Sequence, residues 1–395
     1  MDIPIMRLAL GNAEVEAASR VIRSGWIAQG EEVAAFEREF AVAVGAKHAL
    51  ATCNCTTALQ LALRVAGVKP GDDVATVSHS FIATANAVVA VGARPLFVDI
   101  QAATFNMDPE ALGNALTPIT KAILVVHQIG HPADMPAILA IAKARAIPVV
   151  EDAACALGSE IRIGEEWQRI GRPHGLLACF SFHPRKLITT GDGGMITTAD
   201  PALADRLRLL RQHAMVMSTS KDPKHVPADS YKEVAFNFRM TDLQAAVGRP
   251  QLTRLPTIIQ ERRALAARYR EALAQHPWLE PPSEQPWARS NWQSYAVTLR
   301  PACKKSQTEI MRVLQDNGIS ARRGINNAHT QPAYRQTPWT CGPQPCDSAD
   351  HDLGWCRRLE ASQQARDRTI LLPLFQGMTT EEQEHVIACL HKLVP

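Results

Sequence analysis

Lys121-Ala122-Ile123-Leu124-Val125-Val126-His127, followed by Met135–Ala146 and then by Pro148-Val149-Val150-Glu151-Asp152, is the stretch that decides the fold. The first and last runs are short and apolar, as strands covered on both faces are, and the segment between them has helical length and spacing. The same alternation extends upstream. Lys47–Thr52, Val74–Val77 and Pro95–Ile100 read as strands. Thr56–Val65, Ile82–Val91 and Asp108–Leu116 read as helices, the last opened by Asp-Pro-Glu. Strands separated by helices of about ten residues imply βαβ units and a mainly parallel sheet, an α/β fold. No internal repeat is present.

Downstream the pattern changes. Asp242–Val247 begins a helical stretch that runs through Arg262–Gln275 despite Pro250 and Pro256, as a connection between two domains would. Ser294–Leu299 alternates like a half-buried strand, and Ser306–Gln315 reads as a helix closed by Asn317-Gly318. Thr379 and Glu382 have capping-box spacing and open a last helix to about Leu393. This half reads as a smaller α+β domain. Met217–Tyr231 and Gln336–Leu353 are polar and Pro-rich and are expected to be mobile loops over a site.

Composition sets limits. The chain has 395 residues, 46% hydrophobic and 21% charged, which excludes a disordered chain. A net charge of +3 gives no reason to expect a nucleic-acid partner. No apolar run approaches the ~20 residues of a membrane helix, and Met1–Arg7 lacks the pattern of a secretory signal, so a cytoplasmic location is expected. Nine cysteines in such a chain are expected to be free thiols. Cys341, Cys346 and Cys356 stand near His351 without a CxxC pair, so no metal site is expected.

Three features carry chemistry. Asp152 follows the strand Pro148–Glu151, where ligands of parallel sheets bind, although alone it reads equally as a helix N-cap. Lys186 follows the apolar strand Cys179–Phe182 and precedes the Gly-rich turn Gly191-Asp192-Gly193-Gly194. A lysine so placed can serve as a Schiff-base nucleophile; alone, a surface lysine is the plainer reading. The turn lacks G-x4-G-K-[ST], which excludes a P-loop. Cys55-Thr56-Thr57 starts a helix, where N–H groups and hydroxyls can cradle a phosphate or Thr56 can simply cap the helix. Together, one lysine, one strand-end aspartate and one phosphate cradle are what pyridoxal 5'-phosphate (PLP) requires.

The sequence resembles the DegT/DnrJ/StrS family of PLP-dependent sugar aminotransferases, a branch of fold type I. The likeness runs from about Gly25 to the C-terminus. It is carried by Ser24-Gly25-Trp26 with Gly30 and Phe36-Glu37, by Glu151-Asp152-Ala153-Ala154, by Ser181-Phe182-His183-Pro184 with Lys186, by Gly191–Gly194, by Asn237–Ala246, and by His329-Thr330-Gln331-Pro332-Ala333-Tyr334. The resemblance implies a large PLP-binding α/β domain over residues 1–255, with a mainly parallel seven-stranded sheet between helices, and a small C-terminal α+β domain over 256–395.

It also implies roles. Lys186 would hold PLP as an internal aldimine and shuttle the proton. Asp152 would pair with the pyridine nitrogen, and Phe81 would stack on the ring. Thr56, Thr57 and Ser181 would bind the phosphate. Asn237 would reach the phosphate of a neighbouring subunit's cofactor, making the enzyme a homodimer with its site at the interface. Trp26, His183, Arg322 and His329 are candidates for substrate contact. For each of these the plain alternative is a core or solvated residue, and His127 reads as structural.

The sequence departs from the family pattern at Cys155, where a glutamine that meets the cofactor's 3-oxygen is usual. It departs again at Asp192 for Glu, at Arg185 before the lysine, and at Asn326-Asn327 ahead of His329. The implied reaction moves an amino group, L-glutamate's by the family resemblance, onto a keto group of a nucleotide-linked deoxy sugar in a ping-pong cycle. The alternatives are a PLP-dependent sugar dehydratase, against which the presence of Lys186 argues, an aminotransferase acting on a cyclitol or other keto sugar, and a non-catalytic PLP-binding regulator.

Overall fold

A computed structural model describes residues 1–217, 228–344 and 355–393. Its centre is a seven-stranded sheet of β1 (His48–Thr52), β2 (Asp73–Val77), β3 (Arg94–Val98), β4 (Thr120–Val126), β5 (Val149–Asp152), β6 (Leu177–Ser181) and β7 (Gly194–Thr198). The order across the sheet is β1-β7-β6-β5-β4-β2-β3. β3, β2, β4, β5 and β6 run parallel, whereas β7 is antiparallel to both of its neighbours. The sheet is thus the mainly parallel seven-stranded one of the expected α/β fold.

Helices cover both faces. On one face, α2 (Glu31–Val44), α5 (Pro109–Ala115), α6 (Met135–Ala144) and α8 (Asp242–Thr253) close a core with Phe36, Phe40, Phe180 and Phe182 at its centre. Phe40 lies 5.0 Å from Phe180 and 5.6 Å from Phe182 in edge-on geometry; each such pair adds about 0.5–1.5 kcal/mol beyond its buried area. On the other face, α3 (Cys55–Val65), α4 (Ala83–Ala90) and α7 (Pro201–Leu210) bury Leu59, Leu63, Val88 and Leu207. Asp108, Asp134 and Asp200 each accept a backbone N–H at the starts of α5, α6 and α7, with a proline in the first turn. That is the start signal that Asp-Pro-Glu gave for α5, and each cap is worth about 1 kcal/mol.

α9 (Leu255–Leu273) begins in the first core and ends in a separate one. The latter surrounds a four-stranded antiparallel sheet of β8 (Leu279–Glu280), β9 (Tyr295–Leu299), β10 (Arg322–Arg323) and β11 (Thr369–Leu372), in the order β8-β9-β11-β10. α10 (Gln307–Asp316) and α12 (Thr380–Lys392) pack on this sheet, and both begin with capping boxes, at Ser306–Glu309 and Thr379–Glu382. The N-terminal end joins the same core, because Ile3 is fully buried and pairs with Ile319.

Two expected loops differ from their reading. Residues 218–227 of the first lie outside the described residues; at its ends Met215–Met217 pairs with Asp229–Tyr231. The second begins as an extension of the sheet edge: Thr340 pairs with Leu96 of β3, and Trp339 packs 5.5 Å from Phe97. An aromatic side chain with apolar cover at that edge outweighs the polar and proline content around it. Residues 345–354, including Cys346 and His351, lie outside the described residues. Cys341 and Cys356 are buried, with their sulfurs 3.6 Å apart.

Candidate active site

The carboxyl ends of β4, β5 and β6 and the first turn of α3 open on one cleft of about 1820 Å³. Parallel strands place ligand sites at this edge because loops and helix starts converge there. Asn54, Cys55, Thr56, Phe81, Thr84, Asp152, Cys155, Ser181, His183, Lys186 and Arg322 are on its walls.

Asp152 is the last residue of β5 and is 5% exposed. Its Oδ2 accepts the Thr84 hydroxyl at 2.7 Å, and its Oδ1 accepts the Ala154 N–H at 3.2 Å. Burial holds its carboxyl above the usual aspartate range, with these two donors working the other way. A buried carboxylate with two neutral donors still suits a cationic partner, and a protonated pyridine nitrogen is one.

Lys186 reaches the same cleft from the turn after β6. Its Nζ donates to Cys155 Sγ at 3.0 Å. Burial alone would lower its ammonium, but Cys155, Cys55 and Asp152 outweigh that and hold it above the usual lysine value. The turn carrying the lysine is clamped from α8. Buried Gln251 donates to the Thr189 carbonyl at 2.7 Å and accepts its N–H at 3.0 Å, and Gln244 donates to the Asp192 carbonyl at 2.6 Å. Within the segment Asn237–Ala246, Gln244 therefore holds the glycine turn that follows the lysine.

The helix start is built by close backbone approach. Asn54, not Thr56, is the N-cap of α3, accepting the Thr57 N–H at 2.9 Å. A β-carbon on Gly194 would stand 2.6 Å from the Asn54 carbonyl, so β7 can lie beside this cap only without a side chain there. The Thr57 hydroxyl is turned inward to the Asn54 carbonyl at 2.8 Å, while Thr56 faces the cleft. Lysine, aspartate and helix start thus surround one space in the arrangement that PLP requires.

The remaining candidates divide. Phe81 is on the cleft wall and 75% exposed, a ring face open to a stacking partner. Ser181 and His183 line the cleft, and partial burial lowers the His183 imidazole. Arg322 lines it together with Arg185, Arg312 and Arg323; burial, and after it the neighbouring Arg322, lowers the Arg185 guanidinium. Trp26, Asn237 and His329 do not line it. Trp26 is exposed and donates to the Gln29 carbonyl, and Asn237 is exposed beside Arg239. His329 is buried, with its Nδ1 2.5 Å from the Ser78 hydroxyl.

His127 is the structural residue expected. Its Nδ1 accepts the Ala133 N–H, so the proton sits on Nε2, which donates to Glu151 at 2.9 Å. Sequence reasoning missed Thr84, Gln251 and Asn291, which donates to the Cys155 carbonyl at 2.8 Å. These are single polar residues inside apolar or loop segments, and only tertiary contacts distinguish them.

The chain matches the DegT/DnrJ/EryC1/StrS aminotransferase family over residues 9–391. It is 35% identical to the spore coat polysaccharide biosynthesis protein SpsC of Bacillus subtilis, over 99% of this chain and 97% of that one. Among solved structures, S. venezuelae DesV in complex with a ketimine intermediate superposes with a TM-score of 0.86 at 32% identity, covering 100% of both chains. Helicobacter pylori PseC, an aminotransferase involved in the biosynthesis of pseudoaminic acid, superposes with a TM-score of 0.86 at 25% identity, covering 99% of each chain.

Proposed function

Given that the chain belongs to the DegT/DnrJ/EryC1/StrS aminotransferase family and is a PLP-dependent aminotransferase of the sugar-modifying kind, we propose that it carries an amino group from L-glutamate to the keto group of a nucleotide-linked deoxy sugar. One observation carries this reading: Lys186 and Asp152 open on a cleft far larger than the ~300–1,000 Å³ of an ordinary small-molecule pocket, and its walls also bear Arg185, Arg312, Arg322 and Arg323. An acceptor with a diphosphate would match both the space and the guanidinium forks. The name of the Bacillus relative supports a role in polysaccharide biosynthesis.

PLP, when bound, supplies a ring that withdraws electrons from a carbon that has lost its proton. Asp152 would keep a proton on the ring nitrogen, and Phe81 would cover one ring face. Thr56 and Ser181, with the α3 start, would hold the phosphate. Lys186 Nζ would take the proton from the donor's α-carbon and return it on the other side of the exchange.

A second copy of this chain would complete the site. Trp26, Ile27, Val42, Val234 and Phe236 are large apolar side chains left exposed, and exposed Asn237 directly follows Phe236. Asn237 would then reach the partner's phosphate site. Sedimentation at micromolar concentration should give a dimer.

The test is the absorption spectrum of the protein with PLP before and after L-glutamate, for wild type and Lys186→Ala. Wild type should take up PLP in a lysine-linked form that glutamate converts to the pyridoxamine form, and the variant should not form that link. A wild-type spectrum that glutamate leaves unchanged would overturn the donor assignment. Deoxygenated rather than aminated product would move the enzyme to the dehydratases.

A further inference from the structure

The contact between Lys186 and Cys155 joins the amine the reaction needs to an oxidisable sulfur. Nζ and Sγ are 3.0 Å apart on the wall of the open cleft. Sulfur at that distance is within reach of covalent bonding after a small rotation of the lysine side chain. The cysteine's position is fixed from behind: Asn291, itself fully buried, donates to the carbonyls of Cys155 and Leu157 at 2.8 and 2.9 Å. The cleft admits small oxidants to this sulfur, which is only partly buried, whereas Cys55 on the same wall is buried and Cys179 does not line the cleft.

We propose that Cys155 and Lys186 form a reversible peroxide-driven cross-link that shuts the enzyme by occupying its cofactor lysine. The inference rests on the assignment of Lys186 as that lysine. In the first step the thiol attacks hydrogen peroxide: an S–O bond forms, the O–O bond breaks, sulfur is oxidised by two electrons, and water leaves. In the second, the Lys186 ammonium passes one proton to the sulfenic oxygen, which departs as water while the nitrogen pair bonds to sulfur. The remaining surplus proton goes to solvent, leaving an S–N sulfenamide. A small-molecule thiol reverses it by attacking sulfur, returning the amine and leaving a disulfide that a second thiol reduces.

The cross-link needs an unoccupied Nζ. It therefore forms in the cofactor-free chain and in enzyme whose lysine has been released by the amino donor, and resting PLP-loaded enzyme is protected. Oxidation then tracks turnover.

The experiment treats the full chain with hydrogen peroxide in three states: stripped of cofactor, loaded with PLP, and loaded and then exposed to L-glutamate. Peptide mass spectrometry reads the products, and PLP uptake is followed by absorbance before and after dithiothreitol. The expected result is a Cys155–Lys186 peptide pair short of two hydrogens in the first and third states and absent in the second. PLP uptake should be lost in proportion to that pair and regained with thiol. Cys155→Ser, and Cys155→Ala should serine disturb the fold, should show neither the pair nor the loss. A disulfide from Cys155 to Cys53 or Cys55, or a sulfenic acid that persists beside a free Lys186, overturns the proposal. Equal cross-linking in the PLP-loaded state also overturns it. A cross-link that leaves PLP uptake intact would instead refute Lys186 as the cofactor lysine, and unaltered PLP linkage in Lys186→Ala would show this independently.

Discussion

Thr84→Val tests how the fold keeps Asp152 ready for a cation. Thr84 stands in the first turn of α4, where its hydroxyl donates to Asp152 Oδ2 at 2.7 Å and lies 2.8 Å from the Ser80 hydroxyl. Valine keeps the shape and puts a methyl group against the carboxylate oxygen. A hydrogen bond to a charged group is worth about 1.5–3 kcal/mol, so the variant should lose about that much stability at neutral pH. Burial already raises the Asp152 carboxyl, and the Thr84 hydroxyl opposes that rise. Removing the hydroxyl raises it further. Because the folded-state value is raised, protonated Asp152 favours the unloaded fold at low pH and the anion costs stability at neutral pH. The penalty of Thr84→Val must therefore shrink as pH falls through the carboxyl's titration. PLP needs the anion, so the acid limb of PLP binding should move to higher pH. Within that limb the affinity should drop by up to about 10- to 150-fold, the same energy expressed as a ratio. Urea unfolding at neutral and acid pH and PLP titration by fluorescence quenching measure both effects. An equal stability loss at the two pH values with an unmoved acid limb would refute the reasoning.

Glu151→Gln should cost about 1.5–3 kcal/mol at neutral pH, because one of the donors from His127, His174 and Gly175 would then face an amide N–H. Burial alone would raise Glu151, but His127 and His174 outweigh it and hold the carboxyl well below its usual range. This stability is present above the unfolded value of about 4.3 and is lost as pH falls through the folded one, so denaturation curves of wild type and variant should converge in acid. Gly194→Ala drives a β-carbon to 2.6 Å from the Asn54 carbonyl, and a loss of about 1–3 kcal/mol in thermal unfolding together with weaker PLP uptake is expected. Arg322→Ala should raise the acceptor's KM by about tenfold while the glutamate half-reaction keeps its rate, as separate half-reaction kinetics would show.

The sheet was legible where burial is complete on both faces. Lys121–His127 and Pro148–Glu151 are built on the apolar runs Ala122–Val126 and Pro148–Val150, and β4 and β5 fall within one residue of the ranges read. β7 escaped notice because Gly194 opens it directly after a glycine turn, and it runs antiparallel to β1 and β6 in a sheet whose other strands follow the parallel βαβ pattern. The short strands Glu160–Ile163 and Glu166–Arg169 are polar and partly exposed, so they carry no apolar signal. Lys186 and Asp152 were readable because strand ends announce them. The inward turn of Thr57 was not, since two adjacent threonines at a helix start differ only in which way the helix rotates them. His329 looked like a substrate contact and is packed between Phe97 and Trp339, which a one-dimensional motif does not distinguish.

The start of α2 is held by a residue made much later. Asp242 accepts the N–H groups of Gly30 at 2.7 Å and of Val33 at 3.0 Å, a separation of 209 residues in the latter case. Ribosomes add about 5–20 residues per second, so α2 waits about 10–40 s after its own synthesis before its cap exists. β1 waits as well, because it is an edge strand whose partner in the sheet is β7. During that interval Phe36 and Phe40 have no finished sheet to cover them. A nascent chain stalled before residue 194 should therefore expose the central aromatic cluster and recruit holdase chaperones, and release past Asp242 should end that recruitment in one step.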